Sequence, residues 1–207
     1  MPRRRLIRQS TFPYHVVTRT NNKDWFKIPI CDVWDICKES LLYAQIKYPV
    51  RTHCFVLMSN HYHLLLTTPN ENIDQFMQAF NLNLSKLITK KSGVINHKFS
   101  NRYKWSMIDS DGYLKNVYRY IYQNPVRAHI SMDCFSYPYS SLYFSGDEKK
   151  RLNYDPHYDY EKQKVWFERR LGQDYDDIIR VSLKKAKFKP NVDISTFHKN
   201  CLNNVNY

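Results

Sequence analysis

Two short apolar runs separated by only two residues constrain most strongly what this chain can fold into. Residues 51–58 and 61–67 are rich in apolar side chains, and only Ser59 and Asn60 stand between them. Strands joined by so short a connection must run antiparallel, because parallel neighbours need a crossover of a dozen or more residues. The sequence therefore predicts a β-hairpin within an antiparallel sheet.

Segments with strand and helix patterns surround this hairpin. β-Branched and aromatic residues predict strands, and apolar residues at three-and-four spacing predict helices. The predicted elements are a strand at 12–19, a helix at 30–48, a helix from 73 to about Gly93, a strand at 102–108, and a third helix from Ser110 to Pro125. The order β-α-β-β-α-β-α predicts an α+β fold with helices on the faces of an antiparallel sheet.

The composition is that of a soluble protein with a polyanionic partner. Of 207 residues, 43% are hydrophobic, enough for a sizeable core, yet no run approaches the ~18 apolar residues of a membrane span. The excess of 32 Lys+Arg over 19 Asp+Glu favours binding to phosphates. Five scattered cysteines without C-x-x-C spacing indicate reduced thiols. We expect a cytoplasmic, nucleoid-associated protein with no membrane partner.

Two histidines on the second strand of the hairpin are candidate metal ligands. His61 and His63 are two residues apart, so the strand period places both imidazoles on one face of the sheet. Two protein ligands leave coordination positions open for a substrate oxygen. An isolated H-x-H is also compatible with two strand histidines that make ordinary hydrogen bonds, and the motif alone does not decide between these interpretations.

The third helix carries a candidate nucleophile. Tyr120 lies about one turn before Asn124, so the phenol and the amide project along the same side. Tyr118 falls on the apolar stripe and Tyr122 projects away, whereas Tyr113, two turns earlier, shares the face of Tyr120. Spacing alone leaves Tyr120 open to being one more packing tyrosine among 17.

Several sequence blocks, in one order, resemble the REP-associated tyrosine transposases, which are relatives of the one-tyrosine insertion-sequence transposases in the HUH endonuclease superfamily. The blocks are FVLMSNHYHLL at 55–65, RYK at 102–104, YIYQNPVRA at 120–128 and YPYSS at 137–141. The resemblance runs from about Pro13 to about Gly146. The chain departs from it at Ser59, where many relatives have Pro, and at His129, where Gly is usual. Both positions lie at turns, so we expect them to affect geometry rather than chemistry.

The resemblance implies a ferredoxin-like or RRM-like sheet with the histidine pair on a central strand and the tyrosine helix in front of it. It implies that His61 and His63 bind the metal, that Asn124 is a third, amide-type ligand, and that Tyr120 is the nucleophile. The product would be a 5′-phosphotyrosine and a free 3′-hydroxyl. Imidazole ligands by themselves suit zinc, but the family implies Mg²⁺ or Mn²⁺.

The substrate that the resemblance implies is single-stranded DNA with a hairpin, of the repetitive extragenic palindrome (REP) type. We expect the protein to act as a monomer or homodimer. Candidate contacts to the DNA backbone are Arg3, Arg4, Arg5, Arg8, Arg19, Arg102, Lys104, Arg119 and Arg127. Individually, each of these is also compatible with a solvated surface charge.

The composition becomes charged and tyrosine-rich beyond Gly146. We place a domain boundary there, between a catalytic domain at 1–146 and a basic, mostly helical C-terminal extension at 147–207. We expect removal of residues 151–207 to preserve the cleavage chemistry, because every candidate catalytic residue lies upstream. One or two helices are predicted in it, and weak order from Pro190 onward. Two other functions remain open: a non-catalytic single-stranded nucleic-acid-binding protein, since such sheets also stack bases, and a domesticated transposase relative.

Overall fold

The strands and helices of the first two thirds of the chain form where the sequence patterns predict them. The computed structural model describes residues 5–94, 99 and 102–190. The elements are β1 (Tyr14–Arg19), α1 (Ile30–Lys47), β2 (Arg51–Leu57), β3 (His61–Thr67), α2 (Ile73–Ser92), β4 (Lys104–Met107) and α3 (Asp111–Tyr122). The α+β fold and the predicted order of elements are confirmed.

The four strands form one antiparallel sheet with the order β2-β3-β1-β4. The hairpin strand β3 lies between β2 and β1, so the histidine pair stands on an interior strand. In the register of β1 on β3, Val17 lies opposite His63 and Arg19 opposite His61. Because a slip of one residue would turn these side chains to the other face, the register positions the site.

The two long helices α1 and α2 cover one face of the sheet. Tyr14 and Val16 of β1 and Phe55 of β2 point into a core that also contains Phe76 and Phe80 of α2. All five side chains are at most 2% exposed, and α1 packs along α2. Burial of large apolar side chains is the main stabilising contribution of this layer.

The other face, which we call the histidine face, carries the side chains of His15, His61 and His63 and is crossed by α3. Leu114, Val117 and Ile121 of α3 are buried in a second core with Cys54 and Val56 of β2, Leu65 of β3, and several residues of the C-terminal segment. The predicted helix that crosses in front of the histidine strand is therefore present.

The short helix α4 (Asn124–Arg127) follows α3. The C-terminal segment contains helices, as predicted: α5 (Gly146–Arg151), α6 (Lys164–Glu168) and α7 (Gln173–Ser182). None of the helices within the described ranges is both long and apolar enough to cross a bilayer. The predicted weak order beyond Pro190 concerns residues 191–207, which lie outside the described residues.

Residues 147–190, the described part of the predicted extension, make contacts with the residues before Gly146. Gly146 is the first residue of α5, and a capping box between Ser145 and Glu148 spans the expected boundary. Leu152 belongs to the core beneath α1 and α2, whereas Phe167 and Ile179 belong to the core beneath α3. The described part of the segment therefore packs on the rest of the chain, and the boundary at Gly146 stays a prediction.

Candidate active site

The sheet and α3 bring four aromatic rings together on the histidine face. The ring centroids of His61 and His63 lie 5.1 Å apart, and that of Tyr120 lies 6.1 Å from His63. His15 of β1 lies beside them, 6.4 Å from the ring of Tyr120. Two motifs that are 57 residues or more apart in the sequence thus form a single cluster.

The protonation of His61 follows from its hydrogen bond. Its Nδ1 lies 2.7 Å from the side-chain oxygen of Asn60, and the amide nitrogen of Asn60 donates to the carbonyl oxygen of Lys23 at 2.7 Å. Because an amide oxygen only accepts, Nδ1 of His61 carries the proton. Its Nε2 therefore has a free lone pair, as a metal ligand requires.

His63 has a buried ring nitrogen that no described residue satisfies. Its Nδ1 lies 2.9 Å from Nε2 of His15, whereas its Nε2 makes no hydrogen bond to any described residue. Burial lowers the pKa of His61 to about 3 and that of His63 well below its ordinary value, so both imidazoles are neutral near pH 7. A buried nitrogen without a partner is costly, and a bound cation would satisfy it.

The described part of the chain brings no third His, Cys, Asp or Glu ligand to the histidine pair. Among residues 5–94, 99 and 102–190, no three His, Cys, Asp or Glu side chains converge on a common point. A cation here would have two imidazoles as its protein nitrogen ligands. Such a site remains open to oxygen atoms of a substrate, water or an amide.

The neighbouring tyrosines of α3 are engaged elsewhere. The hydroxyl of Tyr118 accepts from the backbone N–H of His157 at 3.0 Å, and that of Tyr122 bonds Oγ of Ser141 at 3.0 Å. Burial raises the pKa of both well above the ordinary value for tyrosine. The ring of Tyr113 packs against Phe188 at 5.2 Å. Tyr120 is thus the α3 tyrosine that lies against the histidines.

Asn124 is placed beside Tyr120, but its amide is occupied. The amide nitrogen donates to the carbonyl oxygens of Tyr120 and Ile121 at 2.9 and 3.2 Å, and the amide oxygen accepts from Arg127 at 2.8 Å. The oxygen that was expected to be a third metal ligand therefore binds a guanidinium in this structure. Asn124 would have to exchange this partner to bind a metal.

Arg127 lies against the ring of Tyr120. Its guanidinium carbon lies 3.9 Å from the centroid of the Tyr120 ring, and its Nη1 lies 3.1 Å from a carboxylate oxygen of Asp176 in α7. The C-terminal segment therefore holds Arg127 against the tyrosine. Nothing in the local sequence of α7 indicates this pairing.

The other predicted DNA contacts lie in different surroundings. Arg19 and Lys104 are exposed on the histidine face, opposite His61 and Val17 in the sheet register. Arg8 and Arg102 both pair with Asp74 at the start of α2. Arg5 is exposed, and Arg3 and Arg4 lie outside the described residues.

Arg119 does not fit its predicted contact with DNA. It is 1% exposed, and its guanidinium lies between the rings of Trp166 and Tyr175, 5.1 and 4.7 Å from their centroids. Burial lowers its pKa. The helical period places Arg119 away from the sheet, and the C-terminal segment covers that side of α3.

The sequence patterns did not single out His15. It stands in β1, where alternation would have shown only that it shares a face with Val17 and Arg19. Its proximity to His63 depends on the register between β1 and β3. His129 adopts a left-handed backbone with φ of 55°, a conformation that favours glycine, so the expectation that this position affects geometry is in agreement with the structure.

Comparison with known proteins gives one family and a shared fold. Residues 8–124 match the family described as "Transposase IS200 like". A solved REP-associated tyrosine transposase bound to a REP hairpin aligns with a TM-score of 0.59 at 15% identity, over 69% of this chain and 83% of that one. A putative transposase from Deinococcus radiodurans R1 aligns with a TM-score of 0.40 at 18% identity, over 58% of this chain and 95% of that one. No curated protein matches the sequence.

Proposed function

Because the chain belongs to the family of IS200-like transposases, we propose that it is a metal-dependent endonuclease and strand transferase that acts on single-stranded DNA. One observation carries this proposal: the ring of Tyr120 lies beside a pair of neutral histidines, and a buried nitrogen of one of them has no hydrogen-bond partner among the described residues. A module that only binds nucleic acid would not need this combination.

The metal would be held by Nε2 of His61 and Nε2 of His63. A divalent cation supplies charge neutralisation at the phosphodiester oxygens, which otherwise repel a nucleophile. We favour Mg²⁺ or Mn²⁺ over zinc because phosphate oxygens would complete the coordination sphere. Asn124 could supply an amide oxygen once Arg127 binds the DNA phosphate instead of that amide.

Tyr120 would act as the nucleophile. Its phenolic oxygen forms a bond to phosphorus while the bond from phosphorus to the 3′ oxygen breaks, and the phenolic proton ends on the released 3′-hydroxyl. The DNA remains attached through a 5′-phosphotyrosine, which conserves the energy of the phosphodiester. Attack by another 3′-hydroxyl reverses the step and joins two strands, so no nucleotide cofactor is consumed.

The cations around Tyr120 are suited to hold the DNA backbone at this point. Arg127 contacts the tyrosine ring, and Arg19 and Lys104 are exposed on the same face of the sheet. We propose hairpin-bearing DNA of the REP type as the substrate. The solved relative is bound to such a hairpin, and the formal net charge of +13 favours a polyanion. In a cell the protein would act at the nucleoid, as a monomer or homodimer.

Trapping of a covalent adduct tests the proposal. Wild-type protein, incubated with a labelled hairpin carrying single-stranded flanks and with Mn²⁺, should form a protein–DNA adduct that peptide mapping locates on Tyr120. Tyr120→Phe should bind the hairpin and form no adduct, whereas the matched variant Tyr113→Phe should retain it. His61→Ala and His63→Ala should bind the hairpin without cleaving it.

Two outcomes would contradict the proposal in different ways. An adduct on Tyr113 would move the nucleophile but leave the reaction type in place. Tight hairpin binding by the wild type with no adduct under any divalent metal would favour the non-catalytic binding protein.

A further inference from the structure

His15 is bonded to a proposed metal ligand, and the proposed reaction assigns it no role. Its Nε2 lies 2.9 Å from Nδ1 of His63. The ring centroids are 5.1 Å apart and the ring planes differ by 16°. With the two nitrogens this close and the centroids this far apart, the rings lie edge to edge in nearly one plane. That is the geometry of an in-line hydrogen bond rather than of stacking.

Each of two arrangements of the proton is compatible with this bond. If His15 donates from Nε2, then His63 accepts at Nδ1 and carries its own proton on Nε2. If His63 donates from Nδ1, then Nε2 of His63 has a free lone pair and His15 carries its proton on Nδ1. Only the second arrangement leaves His63 able to bind a cation, because a protonated ring nitrogen has no lone pair to donate.

We propose that His15 is a positioning residue that accepts a hydrogen bond from His63 and thereby holds it in the metal-binding tautomer. This inference rests on the proposed function. His61 already has such a partner, since the oxygen of Asn60 can only accept. His15 would accept the Nδ1–H of His63 as Asn60 accepts that of His61. Both histidines would then present Nε2 to the metal. An outer hydrogen-bond partner of this kind fixes the ring orientation and raises the basicity of a metal-bound histidine.

The burial of the pair adds to the argument. His15 and His63 are 3% and 4% exposed, on neighbouring interior strands. Water does not readily compete for a bond in such a place, so the partner that the protein supplies decides the tautomer. Replacement of His15 by a side chain without an acceptor would leave Nδ1–H of His63 unpaired and release the constraint.

Two measurements that do not depend on DNA cleavage test the proposal: the affinity of the protein for Mn²⁺ and the tautomer of His63. By electron paramagnetic resonance titration, His15→Phe, which keeps an aromatic ring, should weaken Mn²⁺ binding about 10- to 100-fold. His15→Gln keeps an acceptor and should recover most of the affinity. His53→Gln removes a buried histidine outside the site and should leave the affinity for Mn²⁺ unchanged. In nitrogen-15 spectra of the wild type with Mg²⁺, Nδ1 of His63 should be the protonated nitrogen.

The results separate this inference from the proposed function. Loss of Mn²⁺ binding in His63→Ala together with full affinity in a folded His15→Phe would overturn the role of His15 alone. Unchanged Mn²⁺ binding in His63→Ala would overturn the metal site itself. If His15→Phe does not fold, the wild-type spectra decide, since a proton on Nε2 of His63 contradicts the proposal.

Discussion

Arg127 contacts three groups of the candidate site at once. It packs on the ring of Tyr120, donates to the amide oxygen of Asn124 and pairs with Asp176. A guanidinium has five N–H donors in a planar fork, so it can exchange one of these partners for a phosphate and keep the others. This combination suits a residue that neutralises charge beside the proposed nucleophile, Tyr120.

We predict that Arg127→Gln slows adduct formation about 10- to 100-fold, because a positioned donor to developing charge is lost. It should also reduce the slope of log affinity against log salt by about 1, the share of one phosphate contact. Arg127→Lys should form the adduct at a rate between those of the wild type and Arg127→Gln. Arg180→Gln, on the exposed side of α7, is the matched control. Equal adduct rates in Arg127→Gln and wild type would remove Arg127 from the site.

At the scale of elements, the C-terminal helices support α3, the helix of the proposed nucleophile. Phe167 of α6 is fully buried against α3, and its carbonyl oxygen accepts from the side chain of Gln123 at 2.6 Å. Tyr175 of α7 bonds the side chain of Asn116. The expectation that the chemistry survives removal of residues 151–207 stays a prediction, and this packing argues against it, because the removal would expose the apolar side of α3.

Phe167→Ala should lower the free energy of unfolding by about 3–5 kcal/mol, the usual cost of emptying a buried phenylalanine site. Val165→Ala is the control on the same helix, because Val165 is 88% exposed and its truncation should change stability by less than about 0.5 kcal/mol. Urea unfolding followed by tryptophan fluorescence measures both. If Phe167→Ala lowers the free energy of unfolding by less than Val165→Ala does, the segment is not part of the folded unit.

At the scale of the whole molecule, His53 joins the sheet to the C-terminal segment. Its Nδ1 donates to the carbonyl oxygen of Asp155 at 2.6 Å, and its Nε2 accepts from the hydroxyl of Thr67 at 2.7 Å. Both ring nitrogens of the neutral form are thus satisfied. Burial lowers the pKa of His53 to about 4.

The protein should therefore lose stability in mild acid. The unfolded state binds a proton to this histidine below a pKa of about 6.5, whereas the folded state does so only near 4, so stability is full above 6.5 and falls as the pH drops toward 4. Between pH 7.5 and 5, His53 alone should account for about 2 kcal/mol. Urea unfolding of the metal-free protein at both pH values measures this loss of stability. The free energy of unfolding of His53→Gln should decrease less over the same pH interval. Equal pH dependence in both proteins would contradict the assignment.

The sequence by itself determined the order of elements and the location of the main chemical groups. Periodicity of two put His61 and His63 on one face, and helical periodicity gave Tyr118 and Tyr120 different directions on α3, although the structure buries both side chains. These are local properties, because residues a few positions apart share a strand or a helix whose geometry is known in advance.

Only the tertiary structure decided the surroundings of those groups. The register of β1 on β3 placed His15 against His63, and α6 and α7 buried Arg119 and supplied Asp176 to Arg127. Asn124 likewise acquired Arg127 as a partner. Each of these contacts depends on how segments pack, through register, burial and competition among hydrogen-bond partners, and no short-range period in the sequence encodes that packing.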